Sequence, residues 1–388
     1  MGATKKNILI TGGAGFIGQK LCHELLQQGN KVRVLDNFSS QVHSSDSLPN
    51  SLIDVEVVKA DIRDRGSLRK ALVGVDVVVH LAAETGTGQS MYEIEKYFSV
   101  NVQGTALLID LLQNDSCARD VKSVIVASSR AIYGEGAYAC EDHGQIYPEQ
   151  RSQENLLKGS FDPLCPICQK KINMVTTPES APFNPMSIYG LTKQVQEQAI
   201  LLFAKTKGIN GFALRYQNVY GPGQSLKNPY TGLLAVFSNL ARQNRTIEVY
   251  EDGEESRDFV YISDVVNATV LCVNATKYFC GSLNIGSGVA TSVSEVANKI
   301  KAHFHSSSDI KITGAYRVGD IRHNIADLDL ANRELGYAPK VFFEEGVKCF
   351  LNWAEEQPKE DGTAYERSIN ELASKGLMGQ SDSGVKAK

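Results

Sequence analysis

Thr11-Gly12-Gly13-Ala14-Gly15-Phe16-Ile17-Gly18 follows directly on the apolar run NILIT (7–11) and leads into an amphipathic stretch, 16–28, with Phe16, Ile17, Leu21 and Leu25 on one face. Glycines at 12, 15 and 18 give the spacing G-x-x-G-x-x-G. The first two let the backbone turn tightly and approach a pyrophosphate, and the third lets the helix pack close to the sheet. The helix N-terminus then turns its free N–H groups and positive dipole end toward phosphate. Strand, glycine turn and helix in that order mark a dinucleotide site, so Gly12, Gly15, Phe16, Ile17 and Gly18 are read as cofactor-binding. Asp36 closes the next strand, KVRVL (31–35), and Asn37 follows it. A carboxylate there accepts from a ribose diol and repels a 2′-phosphate. With no arginine close behind, the cofactor expected is NAD rather than NADP.

Further short β-branched runs lie at 54–58, 76–80 and 123–127, separated by helical patterns at 66–73 and 100–114, and two more follow at 211–215 and 282–285. Near-continuous apolar strands alternating with helices predict an α/β fold with a Rossmann-type, doubly wound parallel sheet. The rest of the second half is turn-rich, as at Gly221-Pro222-Gly223, and predicts a smaller mixed α/β substrate lobe. The expected division is an NAD-binding domain over 1–178, carrying an insertion at 138–172, and a lobe over 179–365 interleaved with the last sheet strands. The segment 366–388 ends GQSDSGVKAK and is expected to fray as a flexible tail.

At 388 residues the chain suits two packed domains, and 42% apolar with 22% charged residues is ordinary for a soluble globular protein. A net charge of −4 argues against a nucleic-acid partner. No apolar stretch is long enough to span a bilayer and no signal peptide is visible, so a cytoplasmic protein with no membrane partner is expected. Of eight cysteines, Cys22, Cys117, Cys272, Cys280 and Cys349 read as small buried hydrophobes.

Tyr189 and Lys193 are four apart in a helical pattern and share one face. A free phenol titrates near 10, too high for a base at neutral pH. An ammonium one turn away, with a bound NAD⁺ nearby, brings it into range. Ser128 and Ser129 follow SVIVA (123–127), at the strand end where open α/β sheets bind ligands. Ser129 is placed to bond a reacting sugar oxygen, and Ser128 to face the cofactor.

Together with Asp61-Ile62, HLAA (80–83), Asn101, SSRAIYG (128–134), LRYQNVYGPG (214–223), SRDFVYISDV (256–265) and YRVGD (316–320), these motifs resemble the extended short-chain dehydrogenases/reductases, in their sugar-nucleotide epimerase and dehydratase branch. The resemblance covers roughly residues 5–355. It implies that Asp61 and Ile62 flank the adenine, that Leu81, Ala82, Ala83, Asn101 and Tyr216 line the cofactor, and that Lys193 also holds the nicotinamide ribose. It further implies that Glu84, Thr85, Asn218, Arg257, Arg317 and Asp320 bind the nucleotide-sugar substrate. The 4,6-dehydratases of the branch carry an Asp-Glu pair after the serine/threonine position. Here Arg130 and Ala131 follow Ser129, so elimination of water lacks its acid and base. The implied activity is NAD-dependent C4 epimerisation of a nucleotide-diphosphate sugar through a 4-keto intermediate, and residues 82–94 are most similar to the 4-epimerases of dTDP-sugars. Two alternatives share the motifs: a dehydrogenase or reductase with net redox, and a 4-epimerase of a UDP-sugar. Helices at 100–114 and 193–206 are expected to pair two chains as a homodimer.

Relatives have a much shorter connection between Tyr133-Gly134 and Tyr189. The extra residues hold Cys140-x-x-His143, a spacer at 144–164, then Cys165-x-x-Cys168. Two such knuckles meet the needs of a tetrahedral structural zinc, which would staple an insertion too small for its own core. Incidental thiols, or a redox pair of Cys165 with Cys168, remain the alternatives.

Overall fold

Seven strands form one parallel sheet: β1 (Asn7–Thr11), β2 (Lys31–Asp36), β3 (Glu56–Lys59), β4 (Val77–His80), β5 (Ser123–Ser129), β6 (Asn210–Tyr216) and β7 (Cys280–Ile285), in the order β7-β6-β5-β4-β1-β2-β3. The computed structural model describes residues 5–43, 48–228, 232–360 and 363–382. Successive side chains of a strand point to opposite faces, so Ile8 and Ile10 enter one core and Leu9 the other. The first core is covered by the helices Phe16–Gln27 and Ile262–Asn274. The second is covered by Arg65–Ala71, Gly104–Asn114 and Ile188–Lys207. All seven residues of β5 are buried, which is why residues 124–127 read as an unbroken apolar run between serines. Strand order reverses between β1 and β4, and the chain leaves the carboxyl ends of both at one crevice.

The helix Ile188–Lys207 starts where Ser187 Oγ accepts from Gly190 N (3.1 Å) and ends at Gly208 in the left-handed region. Glu197 on this helix is buried. It accepts from Arg215 of β6 (2.5 Å), from Ser128 Oγ of β5 (2.5 Å) and from Ser282 Oγ of β7 (2.7 Å). The smaller lobe has its own core, with Phe237, Leu240, Phe259, Val296 and Phe350. The strands Asn218–Tyr220, Ser256–Tyr261 and Ala290–Ser292 cross it, and its segments follow on from β6 and β7.

Three details differ from the sequence reading. The helical pattern at 100–114 opens with a π-helical turn, Phe98–Gln103, before regular helix at Gly104. The insertion runs two residues past 172, because Asn173–Met174 pairs antiparallel with Tyr138–Cys140. The segment from 366 does not fray over its described part. Thr363–Ser374 is a helix that buries Leu372 and Ser368, and Met378–Gln380 pairs with Ala315–Arg317. The expectation rested on the polar final residues, of which 383–388 lie outside the described residues. No helix among the described residues is long and apolar enough to cross a membrane.

Candidate active site

A cavity of about 1200 Å³ opens along the carboxyl ends of the strands, between the sheet and the smaller lobe. At its floor the glycine turn is forced by contact. Gly12 has φ +70°, and a Cβ there would lie 2.7 Å from Ala82 N. A Cβ on Gly18 would lie 2.5 Å from Gly13 Cα. Gly15 caps the helix Phe16–Gln27 without a side-chain bond, so the first N–H groups of the helix stay open to an anion. The Asp36 carboxylate accepts from Ala14 N (3.0 Å) and Phe38 N (2.9 Å), tying the turn to β2 while lining the cavity.

Most of the expected cofactor residues line this cavity: Gly12, Gly15, Phe16, Ile17 and Gly18, then Asp36, Asn37 and Ile62, then Leu81, Ala82, Ala83 and Tyr216. Three of the expected residues are placed differently. Asp61 is not on the cavity wall; Arg63 (2.7 Å) and Asn37 (3.2 Å) donate to its carboxylate and hold it at about 2. Asn101 is buried, donating to Glu84 O and to Thr192 Oγ1 (3.0 Å) and accepting from Glu84 N, so it supports the wall rather than lining it. Ser128 lines the cavity with its hydroxyl proton given to Glu197, so it can meet a ligand only as an acceptor.

Ser129, Tyr189 and Lys193 all line the cavity. Ser129 Oγ accepts from Ala131 N (3.2 Å) and stands beside the Tyr189 phenol. Burial raises that phenol above its ordinary value, while Ser129 and the Arg130 guanidinium pull it back down. Lys193 Nζ donates to Gln196 Oε1 (2.8 Å), and burial lowers its ammonium to about 7 against the opposing pull of Glu197. Gln196 Nε2 donates to Thr105 Oγ1 (2.7 Å) beside His80, whose Nδ1 bonds Thr11 Oγ1 (2.7 Å). Burial keeps His80 neutral, down to about 3. Lys193 is therefore aimed by a chain of neutral groups that reaches back to β1. Sequence reasoning missed Gln196, although it stands one turn from Lys193 on the same face.

On the substrate side, Glu84, Thr85, Asn218, Arg257, Arg317 and Asp320 all line the cavity. Arg257 is occupied by the fold: it donates to the carbonyls of Ser256, Ile321 and Arg322 and to Asp320 Oδ1 (3.0 Å). Arg317 stacks on Tyr250 (5.1 Å), and its buried Nε has no partner among the described residues. That leaves Arg317 the better placed of the two for an anionic ligand. Arg130, unassigned from sequence beyond its value as a departure, donates from Nε to Asn218 Oδ1 (2.6 Å). The insertion braces this wall through Arg151, which pairs with Glu135 (3.1 Å) and Glu251 (2.8 Å) and donates to Asp320 O (2.9 Å). The segment after 362 closes one side, with Tyr365 on the cavity wall.

The insertion brings its four expected ligands together. Cys140 Sγ lies 3.5 Å from His143 Nδ1 and 3.7 Å from Cys168 Sγ, and Cys165 Sγ lies 3.6 Å from His143 Nδ1. All four ligand atoms lie within 4.8 Å of one another. A zinc tetrahedron with about 2.3 Å bonds has edges of about 3.8 Å. The Cys165 knuckle turns through Gln169 (φ 59°), whose N–H donates to Cys165 O (2.9 Å).

Residues 8–286 match the model of the NAD dependent epimerase/dehydratase family. The chain is 39% identical over 352 residues to a dTDP-L-rhamnose 4-epimerase of Burkholderia thailandensis, covering 90% of this chain and 94% of that one. It superimposes with a TM-score of 0.73 at 28% identity on UDP-N-acetylglucosamine 4-epimerase from Methanobrevibacter ruminantium, solved with UDP-N-acetylmuramic acid, over 92% of this chain and 100% of that one. MoeE5, solved with UDP-glucuronic acid and NAD, matches with a TM-score of 0.70 at 28% identity, over 90% and 99%.

The state of Lys193 has a thermodynamic consequence. Its folded value, about 7, lies below its unfolded value, about 10.4. The unfolded chain therefore binds the extra proton between those values. Burial of the ammonium destabilises the fold fully below pH 7 and not at all above about pH 10.4. Lys193→Met is expected to raise the melting temperature of the ligand-free protein by a few degrees at pH 7, with the gain shrinking as pH rises toward 10. Differential scanning calorimetry across that window checks this; a variant less stable than wild type at pH 7 would contradict it.

Proposed function

This chain belongs to the NAD-dependent epimerase/dehydratase family, and from that premise we propose that it epimerises C4 of a nucleotide-diphosphate sugar, dTDP-L-rhamnose first among candidates. The observation that carries the reading is that Ser129, Tyr189 and Lys193 line one cleft with the glycine turn and Asp36, with Arg130 and Ala131, not carboxylates, in the two positions after Ser129. The relative at 39% identity supports the dTDP-sugar.

The residues present fit NAD. The glycine turn leaves bare backbone and the open N-terminus of a twelve-residue helix facing the cavity. Asp36 stands at the end of β2, where a ribose diol is held. Gly12, Gly15 and Asp36 would hold the adenosine diphosphate half, and Tyr189, Lys193 and Tyr216 the nicotinamide half. The chemistry the bound dinucleotide supplies is reversible acceptance of the C4 hydride.

The chain's own groups manage the proton and the pose. Tyr189 takes the proton of the 4-hydroxyl as C4 is oxidised, and Ser129 bonds that oxygen. Lys193, aimed by Gln196, stabilises negative charge on the phenol. Arg317 grips the diphosphate. The 4-keto sugar then turns about that grip, and Tyr189 returns the proton once the opposite face is reduced. No second redox substrate is needed. Turnover without added NAD(H) on a panel of dTDP- and UDP-sugars, followed by NMR, tests this. The 4-epimer is expected, with Tyr189→Phe slower by about 10²–10⁴ in kcat. Release of an oxidised or reduced sugar with matching change in NAD(H) would favour the net-redox alternative and overturn the proposal.

A homodimer is part of the same reading. Leu202, on the outer face of the helix Ile188–Lys207, is 69% exposed, and a partner's copy of the helix would cover it. A single-chain mass by light scattering would end it.

The insertion is proposed to hold one structural zinc on Cys140, His143, Cys165 and Cys168, whose soft donors and near-tetrahedral spacing suit that ion. Four protein ligands leave no open position, so the metal staples and does not catalyse. Elemental analysis is expected to find one zinc per chain. Cys165→Ser should lose it and open 138–174 to protease while the sheet core stays folded. Chelator-free protein without zinc would leave only the incidental or redox cysteines.

A further inference from the structure

The site contains a buried polar side chain that the reaction as described does not use. Gln217 follows β6, its N–H fixed on Ile285 O (2.9 Å). The residue is 5% exposed and lines the cavity, yet neither Nε2 nor Oε1 has a partner among the described residues. An unsatisfied buried group costs about 1–3 kcal/mol, so an amide open at both ends is complete only with a ligand. Gly286 leaves the room it occupies: a Cβ there would lie 2.8 Å from Gln217 Cγ.

Arg130 lines the same cavity. Its Nε is fixed on Asn218, the residue after Gln217, and no other bond from it is found among the described residues. It stands in electrostatic reach of Arg257, Asp320 and Tyr189. Arg130 and Gln217 share the cavity with Tyr189 and Arg317, and so are open to the ring of a ligand whose 4-hydroxyl meets Tyr189 and whose diphosphate meets Arg317.

Resting on the 4-epimerase reading, we propose that Gln217 and Arg130 form the subsite that reads the sugar ring, taking the hydroxyls beside C4. A hydroxyl both donates and accepts, which complements an amide, while the guanidinium takes lone pairs only. The two roles differ in a way that suits a ring that turns. Neither end of the Gln217 amide is pinned by protein, so a half-turn about its last bond exchanges donor and acceptor. One side chain can thus serve both faces of the sugar. Arg130, pinned at Nε, keeps its terminal nitrogens in place throughout.

The test compares binding of dTDP-L-rhamnose with that of dTDP by calorimetry, on the NAD-loaded full chain. If wild type prefers UDP-glucose, UDP-glucose and UDP replace them. Gln217→Leu is expected to weaken the sugar nucleotide about tenfold or more, to leave the bare diphosphate within about twofold, and to keep its full NAD content. Arg130→Gln should show the same selectivity. Gln217→Glu preserves shape while losing the donor, and gives the answer if the leucine variant does not fold. Equal losses for sugar nucleotide and bare diphosphate would make these residues phosphate anchors. NAD lost in step would make Gln217 a partner of the nicotinamide carboxamide. Either result, or no change, overturns the proposal. Because binding is measured without turnover, a wild type that binds selectively but does not epimerise would refute the reaction and leave the subsite standing.

Discussion

A single carboxylate, Glu197, holds the catalytic helix on the sheet. It is 1% exposed and lies one turn past Lys193. It meets Arg215, Ser128 and Ser282, which belong to three adjacent strands. Arg215 passes the constraint on by donating to Tyr133 OH (2.6 Å) and Glu179 O (2.8 Å), at the two ends of the insertion. Removing one partner of such a pair costs about 3–5 kcal/mol, because the other charge is left buried alone. The position of Tyr189 relative to Ser129 therefore depends on a bond made two helical turns away.

That anchoring explains how the site can keep a lysine buried at its edge. Lys193 is desolvated and its ammonium lowered, and its bonded partner is the neutral Gln196. Only a helix fixed at Glu197 holds such a group in place without a counter-charge in contact. The arrangement disfavours the empty protein and favours the state in which the Tyr189 phenol itself carries negative charge, which is the state in which it acts as a base. The far wall is rigid for a related reason: Arg151, Glu135, Glu251 and Arg322 form buried ion pairs that lock the insertion onto the lobe carrying Asp320 and Arg257.

What the sequence disclosed was local. The glycine turn, Asp36 and the Tyr189–Lys193 pair depend on spacings of a few residues along one element, and short β-branched runs between helical patterns located all seven sheet strands. The metal knuckles were legible because ligand spacing within each is fixed by a single turn. What it hid depends on contacts between distant segments. That Ser128 gives its hydroxyl proton to Glu197, 69 positions on, could not be read from the strand it ends. Arg257 looked free to bind phosphate but is held by carbonyls at 321 and 322. The polar composition after 366 masked a helix that docks through Leu372 and puts Tyr365 on the cavity wall.

The central claim is that one cleft removes a hydride from C4 and returns it to the opposite face of the same sugar. Deuterium placed at C4 of the nucleotide sugar tests it most directly. The account predicts a 4-epimer that retains the label at C4 in ordinary water, with no label gained from deuterated solvent in the converse experiment. Loss of the C4 label to solvent, or product carrying solvent deuterium at that carbon, would contradict it.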